Sequence, residues 1–357
     1  MGFRVDIANP DEIGREQWDA YVGGHPEATP YHRLGWLQAI SRAYGHRCFG
    51  LRVLADDATL VGVLPLCLVK TPLGGAELTS LPYCDLGGPL AENDNIAALL
   101  SEAAVTLARE HRVPAIEFRL TGERADDAAV QGKVSLLLSL PESAEALFKS
   151  YKPKLRSQIR KAEKNGLTAE LSVNPQDIQP FYQVFADNMR RLGSPVHSAR
   201  WFRELRSAYG ENMLMALVRH EGTVVGAGIV LLNGHRASIP WASTIQAYNH
   251  LAPNMLLYWS ILEYVANHGY TVFDFGRSTA GEGTYRFKRQ WGAMPWLLNW
   301  VKLDTVTAPD AMPGGSPRQP GPVSDGRARQ WAEALWRRLP LWLANRLGPL
   351  IRKYVTL

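Results

Sequence analysis

The chain has 357 residues, 46% hydrophobic and 20% charged, with a net charge of +5. Such a length suggests about two domains with substantial cores, and no apolar run approaches the roughly 18 residues that span a bilayer. Charge is uneven: residues 149–164 and residues 327–357 each hold seven basic residues and one acidic residue, on an otherwise acidic body. That pattern argues against a DNA-coating surface and for local anion sites. The N-terminus, MGFRVDIANPDEIG, lacks an apolar leader core, so a cytoplasmic protein is expected. Cys48, Cys67 and Cys84 fit neither a disulfide frame nor zinc spacing, so no metal is expected and each reads as a small core residue.

In chain order, the first half reads as a strand over 3–7, helices over 12–22 and 34–43, and strands over 49–54 and 60–69. Pro65 should bend the last of these or place it at a sheet edge, because proline donates no ladder bond. LPYCDLGGPL, over 81–90, is a glycine–proline loop containing Gly87 and Gly88. A helix over 91–111 and strands over 115–120 and 134–140 follow. In YKPKLRSQIRKAEKNG, Pro153 suits a first helical position and Asn165–Gly166 a C-terminal cap. Leu155, Ile159 and Ala162 then form an apolar stripe beside a basic ridge of Arg156, Arg160 and Lys164. The ridge is either a solvated face or an anion site.

The second half continues with helices over 180–192 and 198–209 and strands over 213–219, 224–232 and 236–242. A helix over 254–268, capped by Asn254, leads to a strand over 272–275. The halves echo each other. TLVGVLPLCLV is followed by a loop, a long helix and AIEFRL; TVVGAGIVLLN is followed by a loop, a long helix and TVFDFGR. This order suggests a duplicated α/β unit.

Residues 272–292, VFDFGRSTAGEGTYRFKRQWG, hold the densest chemistry. A short aromatic strand ends at a glycine-rich bend, and a helix from Thr284 places Tyr285, Lys288 and Arg289 on one side, with Phe287 and Trp291 as an apolar anchor opposite. Asp274 and Arg277 stand at the strand's carboxyl end, where α/β sheets gather their sites. The competing reading is a wet helix face beside a surface ion pair. The letters DFG also occur in protein kinases, but the rest of that motif set is absent. Residues 305–326 read as a Pro/Gly linker, and residues 327–357 as a basic amphipathic tail. The tail either lies on anionic membrane or docks on the body.

FDFGRS followed by GTYRFKRQWG resembles the closing motif of the FemAB family, RSQIRKAEKNGL resembles that family's basic helix, and YHRLGW and GGPL stand where it has related motifs. The nearest likeness is to the bacterial subgroup found with exosortase/PEP-CTERM and exopolysaccharide systems. The resemblance implies an α/β (α+β) fold of two tandem GNAT-like acyltransferase domains with mixed sheets, 1–140 and 141–304, the second carrying the basic helix 149–166. It implies transfer of an acyl or aminoacyl group to an amine of a cell-envelope or exopolysaccharide precursor. Aminoacyl-tRNA or acyl-CoA would be the donor, with no permanently bound cofactor. A long coiled-coil arm and the Q/RxxGxG/A motif of acetyl-CoA enzymes are both missing.

On this reading Lys288 stabilises a tetrahedral oxyanion. Tyr285 donates a proton or hydrogen bond, and Asp274 orients Arg277 or acts as base. Arg277 and the Gly276–Thr279 backbone, with Ser278, hold anionic groups. Trp36, Gly87, Gly88, Arg156 and Arg160 hold a phosphorylated acceptor. A non-catalytic, membrane-associated scaffold that binds a nucleotide- or lipid-linked sugar is the alternative. A hydrolase built on Cys84 and His46 is a more distant one.

Overall fold

The run TLVGVLPLCLV is too apolar for a half-exposed strand, and it becomes the spine of a sheet covered by helices. The computed structural model describes residues 2–70, 74–125, 130, 132–305 and 326–356. These fall into two units. One holds the chain to Ser135, the strand from Trp296 and the residues from Tyr354; the other holds Leu136–Pro295 and the tail to Lys353.

The first unit runs β1 (Phe3–Ala8), α1 (Arg15–Gly24), α2 (Leu34–Tyr44), β2 (Arg47–Ala55), β3 (Leu60–Lys70), β4 (Ala76–Thr79), β5 (Leu90–Ala91), α3 (Asp94–Glu110) and β6 (Ala115–Arg124). Its strands lie in the order β1-β2-β3-β4-β6, with β5 on β3. Among these pairings of described residues only β4 and β6 run parallel, through Leu78 with Ile116 and Thr79 with Glu117. Leu51, Leu64 and Leu66 of the sheet pack against Ile96, Leu100 and Ala104 of α3 in one core cluster. The expectation of a local edge at Pro65 holds. β3 is internal, yet Pro65 falls between the stretch paired with β5 (Gly62, Val63) and that paired with β4 (Cys67–Lys70). Pro65 is paired with Gly50 of β2 on its other side, so its missing N–H is accommodated where it faces the gap between β4 and β5.

The second unit takes β7 (Lys133–Ser139) from Leu136 onward, then α4 (Ala144–Ser150), α5 (Pro153–Lys164), β8 (Leu167–Ser172), α6 (Ile178–Leu192), α7 (Ala199–Tyr209), β9 (Met213–His220), β10 (Thr223–Asn233), β11 (Arg236–Thr244), α8 (Pro253–Asn267), β12 (Val272–Thr279) and α9 (Gly283–Gln290). Its strand order is β7-β12-β11-β10-β9-β8. β8 to β11 are antiparallel in turn, and β11 meets β12 in parallel. In α5 the stripe Leu155, Ile159 and Ala162 is buried, Pro153 opens the helix and Gly166 follows the cap at φ +77°. Asn254 is not a cap: Pro253 starts α8 and Ala252 occupies the cap position.

β13 (Met294–Asp304) then carries the chain back to the first unit, where Trp296–Asp304 pair antiparallel with residues 115–124 of β6. Residue number alone had put that segment in the 141–304 half. The Pro/Gly stretch lies outside the described residues, between Thr305 and Gly326. Beyond it, α10 (Arg327–Arg338) and α11 (Leu341–Arg352) pack on α6 of the second unit. A Cβ on Gly348 would stand 2.8 Å from the Val196 nitrogen, so only glycine lets α11 approach that closely. The tail is thus docked on the body. It still exposes Trp331, Leu335, Trp342 and Leu350. Among the described residues no helix is long and apolar enough to cross a membrane.

Candidate active site

β11 and β12 are paired at only three positions, Arg236–Ser238 with Val272–Asp274. Beyond them β11 continues to Thr244 and β12 to Thr279, with no further ladder pairs between the two among the described residues. A parallel pair that parts in this way opens a wedge at its carboxyl end, the usual place for a ligand in such sheets. Asp274 occupies the last paired position and is 2% exposed. Its Oδ2 accepts from the Arg236 guanidinium at 2.8 Å, and its Oδ1 accepts from the Gly276 N–H at 2.8 Å. The carboxylate therefore bridges the two strands and folds back on its own. Gly276 has φ +71°, a left-handed conformation that bends β12 at that point.

α9 brings Lys288 to the bend. Its Nζ donates to the carbonyls of Gly276 at 3.0 Å and Arg277 at 2.9 Å, and the side chain is buried. Tyr285, one turn earlier, is buried too, while Phe287 is half-buried. Tyr258 of α8 stacks on Phe275 and meets Phe287 edge-on, and Trp291 is fully buried against Tyr151. The expected helix faces need correcting: Tyr285 and Lys288 point inward with Trp291, leaving Glu282, Thr284, Arg286 and Gln290 exposed. The reason is the pair of carbonyls exposed by the bend, which gives a buried ammonium its hydrogen-bond partners.

Asp274 bonds to Arg236, a partner that was not expected from sequence. Arg236 and Ser238 were missed. Both lie at the start of a strand whose register against 272–274 cannot be read from sequence, although an arginine opening an apolar strand was visible. The hydroxyls of Ser238 and Ser278 are buried with no hydrogen-bond partner. Unsatisfied polar atoms of this kind are uncommon in native interiors, and they mark the wedge as polar.

The remaining expected residues are held by other elements. Arg156 and Arg160 line a groove of about 490 Å³ along α5 with Pro153, Ser157, Lys161 and Lys164. Arg160 also lies over the Phe148 ring at 5.4 Å. In the first unit, Trp36 is fully buried and its indole donates to the Pro82 carbonyl at 3.1 Å. Gly87 and Gly88 donate to the Arg119 carbonyl at 2.9 and 3.0 Å. A Cβ on either would meet a neighbour at 2.3 Å. All three are closely packed within the first unit. Burial pushes the Cys84 thiol up, away from a reactive thiolate, and His46 is bonded to the Tyr83 hydroxyl, so a Cys84/His46 nucleophile is unsupported. Among the described residues no cluster of three metal-binding side chains occurs.

Residues 149–289 match the family described as "Acetyltransferase (GNAT) domain". Residues 149–289 thus carry an acyltransferase domain of the GNAT type, and the mixed α/β architecture of the chain is like that of tandem GNAT proteins. The chain is similar to the lipid II:glycine glycyltransferase of Staphylococcus saprophyticus, with 19% identity across 77% of this chain and 87% of that protein. Its fold is like that in the crystal structure of FemX (TM-score 0.65, 15% identity, 81% of this chain and 94% of that one). It is also like a tandem GNAT protein from the clavulanic acid biosynthesis pathway (TM-score 0.50, 13% identity, 85% and 99%).

Proposed function

We propose that this acyltransferase joins an acyl or aminoacyl group to an amine of a cell-envelope precursor, at the cytoplasmic face of the membrane. The observation that carries the reading is the buried cluster of Asp274, Arg236 and Lys288 at the open end of the β11/β12 pair. The amine attacks the donor's ester or thioester carbonyl; a C–N bond forms, the C–O or C–S bond breaks, and the carrier leaves with a proton. Negative charge collects on the carbonyl oxygen in between, and Lys288 places a fixed cation beside the bent strand where that charge would sit. Asp274 orients Arg236 and the Gly276 N–H. Arg277, Ser278 and Tyr285 line the same strand end and helix as substrate-contacting groups. The Arg156/Arg160 groove supplies phosphate recognition.

Similarity to the glycyltransferase and to FemX supports a lipid II-like peptidoglycan acceptor and an aminoacyl donor. An exopolysaccharide precursor, in keeping with the PEP-CTERM likeness, is the second acceptor class. The tail supports the location: Trp331 is 77% and Trp342 67% exposed, and both share α10 and α11 with Arg337, Arg338, Arg346 and Arg352. Indole and arginine together suit an anionic lipid surface.

The test is to incubate the purified chain with lipid II, or its nucleotide-linked precursor, together with charged tRNA or acyl-CoA. Mass spectrometry should find the acceptor heavier by one acyl or aminoacyl group. No addition in any pairing would overturn the acceptor class. For the tail, W331S/W342S should lose sedimentation with anionic vesicles while melting unchanged; equal sedimentation would remove the membrane role.

A further inference from the structure

Of the buried polar atoms in the second unit that lack a hydrogen-bond partner, three belong to residues that line one cavity. They are the Tyr151 hydroxyl, the Gln158 side-chain carbonyl and the Trp291 indole N–H. The cavity holds about 730 Å³, within the usual range for small-molecule sites. It opens between the end of β7, α4, the first turns of α5 and the end of α9, the helix that carries Lys288. Leu138, Leu140, Leu147 and Leu155 make most of the wall apolar. Tyr151 is 6% exposed and Trp291 0%, with their rings edge-on at 5.5 Å. Lys152 and Lys154 stand exposed at the rim, and the basic groove of Arg156 and Arg160 begins on the same helix.

Each unpartnered group disfavours the free protein by the desolvation cost of a buried polar atom. A ligand able to satisfy all three must accept from an indole N–H, donate to an amide oxygen and bond a phenol, while filling an aromatic-walled space. Burial raises the Tyr151 phenol, so it remains a neutral donor. An adenine ring offers a ring-nitrogen acceptor beside an amino donor and a flat face for aromatic contact. The rim lysines add a demand for phosphate.

We propose that this cavity is an adenine-nucleotide subsite, with the base among Tyr151, Gln158 and Trp291 and the phosphate at Lys152 and Lys154. Two carriers of activated acyl groups end in this chemistry: coenzyme A, through its adenosine phosphate, and charged tRNA, through its 3′-terminal adenosine. That the nucleotide belongs to the acyl donor rests on the transferase reading; the subsite itself rests on the cavity.

The experiment is calorimetry of the full chain with AMP, adenosine and inorganic phosphate. AMP should bind most tightly. Tyr151→Phe and Gln158→Leu should each weaken it by about fivefold, the loss of one hydrogen bond. K152E/K154E should weaken AMP while leaving adenosine unaltered. Tyr151→Phe removes a hydroxyl that has no partner, so its melting temperature should equal or exceed that of the parent, separating lost binding from lost fold. Absent AMP binding, or AMP affinity indifferent to Tyr151→Phe and Gln158→Leu, overturns the subsite. Displacement of AMP by coenzyme A alone, or by uncharged tRNA alone, identifies the carrier. AMP that binds and is displaced by neither overturns the link to the donor. Failed transfer with bound AMP would count against the proposed reaction and leave the subsite standing.

Discussion

Each half of the chain ends a parallel strand pair on a hydroxyl opposite a carboxylate: Thr79 beside Glu117 in the first, Ser238 beside Asp274 in the second. Both hydroxyls are buried without a partner. The difference begins one residue further on. In the first unit the strands stay bridged, because Ser80 donates its N–H to the Glu117 carbonyl and its hydroxyl accepts from the Arg119 N–H, both at 2.8 Å. Arg119 then fills the opening with the chain's own polar groups. It donates to the carbonyls of Leu81, Cys84 and Thr356 and lies over Trp300 at 4.6 Å. In the second unit Gly276 bends the strand away, Lys288 secures the bend and Ser278 is left unsatisfied. One copy of the plan closes on itself and contributes stability. The other stays open, and we read the chemistry as residing there.

Removing the central cation of each end should therefore give opposite phenotypes. Arg119→Met strips a buried hub of its hydrogen bonds and should destabilise the first unit by about 3–5 kcal/mol, seen as a lower denaturant midpoint. Lys288→Met should slow transfer by roughly 10²–10³-fold, with the fold retained by circular dichroism. If Lys288→Met unfolds the protein while turnover per folded molecule holds, Lys288 is another packing residue and the contrast fails. Next in size is Gly88→Ala. Its Cβ would stand 2.3 Å from the Leu120 side chain, so overpacking should cost about 1–3 kcal/mol in stability. Unaltered melting with weakened acceptor binding would return Gly88 to the ligand-contacting role expected from sequence.

The periodicity of apolar residues made most of the strands and helices legible, because burial on one or both faces leaves its spacing in the chain. The duplication was legible too: the apolar runs in TLVGVLPLCLV and TVVGAGIVLLN fall in two long strands, β3 and β10. Register and return were not. Nothing local in Arg236 tells that it faces Asp274, since that pairing is set by how β11 lies along β12. Nor does PWLLNWVKL at residues 295–303 say that it rejoins the first half. The inward turn of Lys288 was hidden for a related reason. A lysine reads as a surface residue until a bent strand supplies two carbonyls at hydrogen-bond distance.

The tail's two attachments sharpen the comparison through pH. On the first unit Thr356 is held by Arg119. On the second, Arg352 donates to the Nε2 of His197 at 3.1 Å. His197 is 2% exposed among Trp201, Phe202 and Trp241, and burial followed by the Arg352 charge holds its pKa well below the usual histidine value. A depressed folded pKa means that the unfolded chain binds the proton first. The stability contribution is therefore complete above about pH 6.5 and is lost as pH falls below it, by at most about 1.4 kcal/mol per pH unit. Melting temperature should fall from pH 7 toward pH 5 in the parent chain and fall less steeply in His197→Gln. Parallel profiles would show that His197 is not the group that titrates.

The smallest effect comes from the two matching hydroxyls. Since neither has a partner, Thr79→Ala and Ser238→Ala lose no hydrogen bond, and each should alter stability by no more than about 0.5 kcal/mol. Their consequences for turnover should nevertheless part. Thr79 lies under an opening that Arg119 and the Leu81–Cys84 loop already fill, so its loss should leave both kcat and KM unaltered. Ser238 stands in the open wedge beside Asp274, where a ligand can take up its hydroxyl. Its loss should raise KM about fivefold, the equivalent of one hydrogen bond to substrate. Steady-state kinetics on the two variants decide the matter. Equal KM values would mean that the wedge between β11 and β12 is as closed in solution as its counterpart, and the catalytic assignment of the second half would then need another opening.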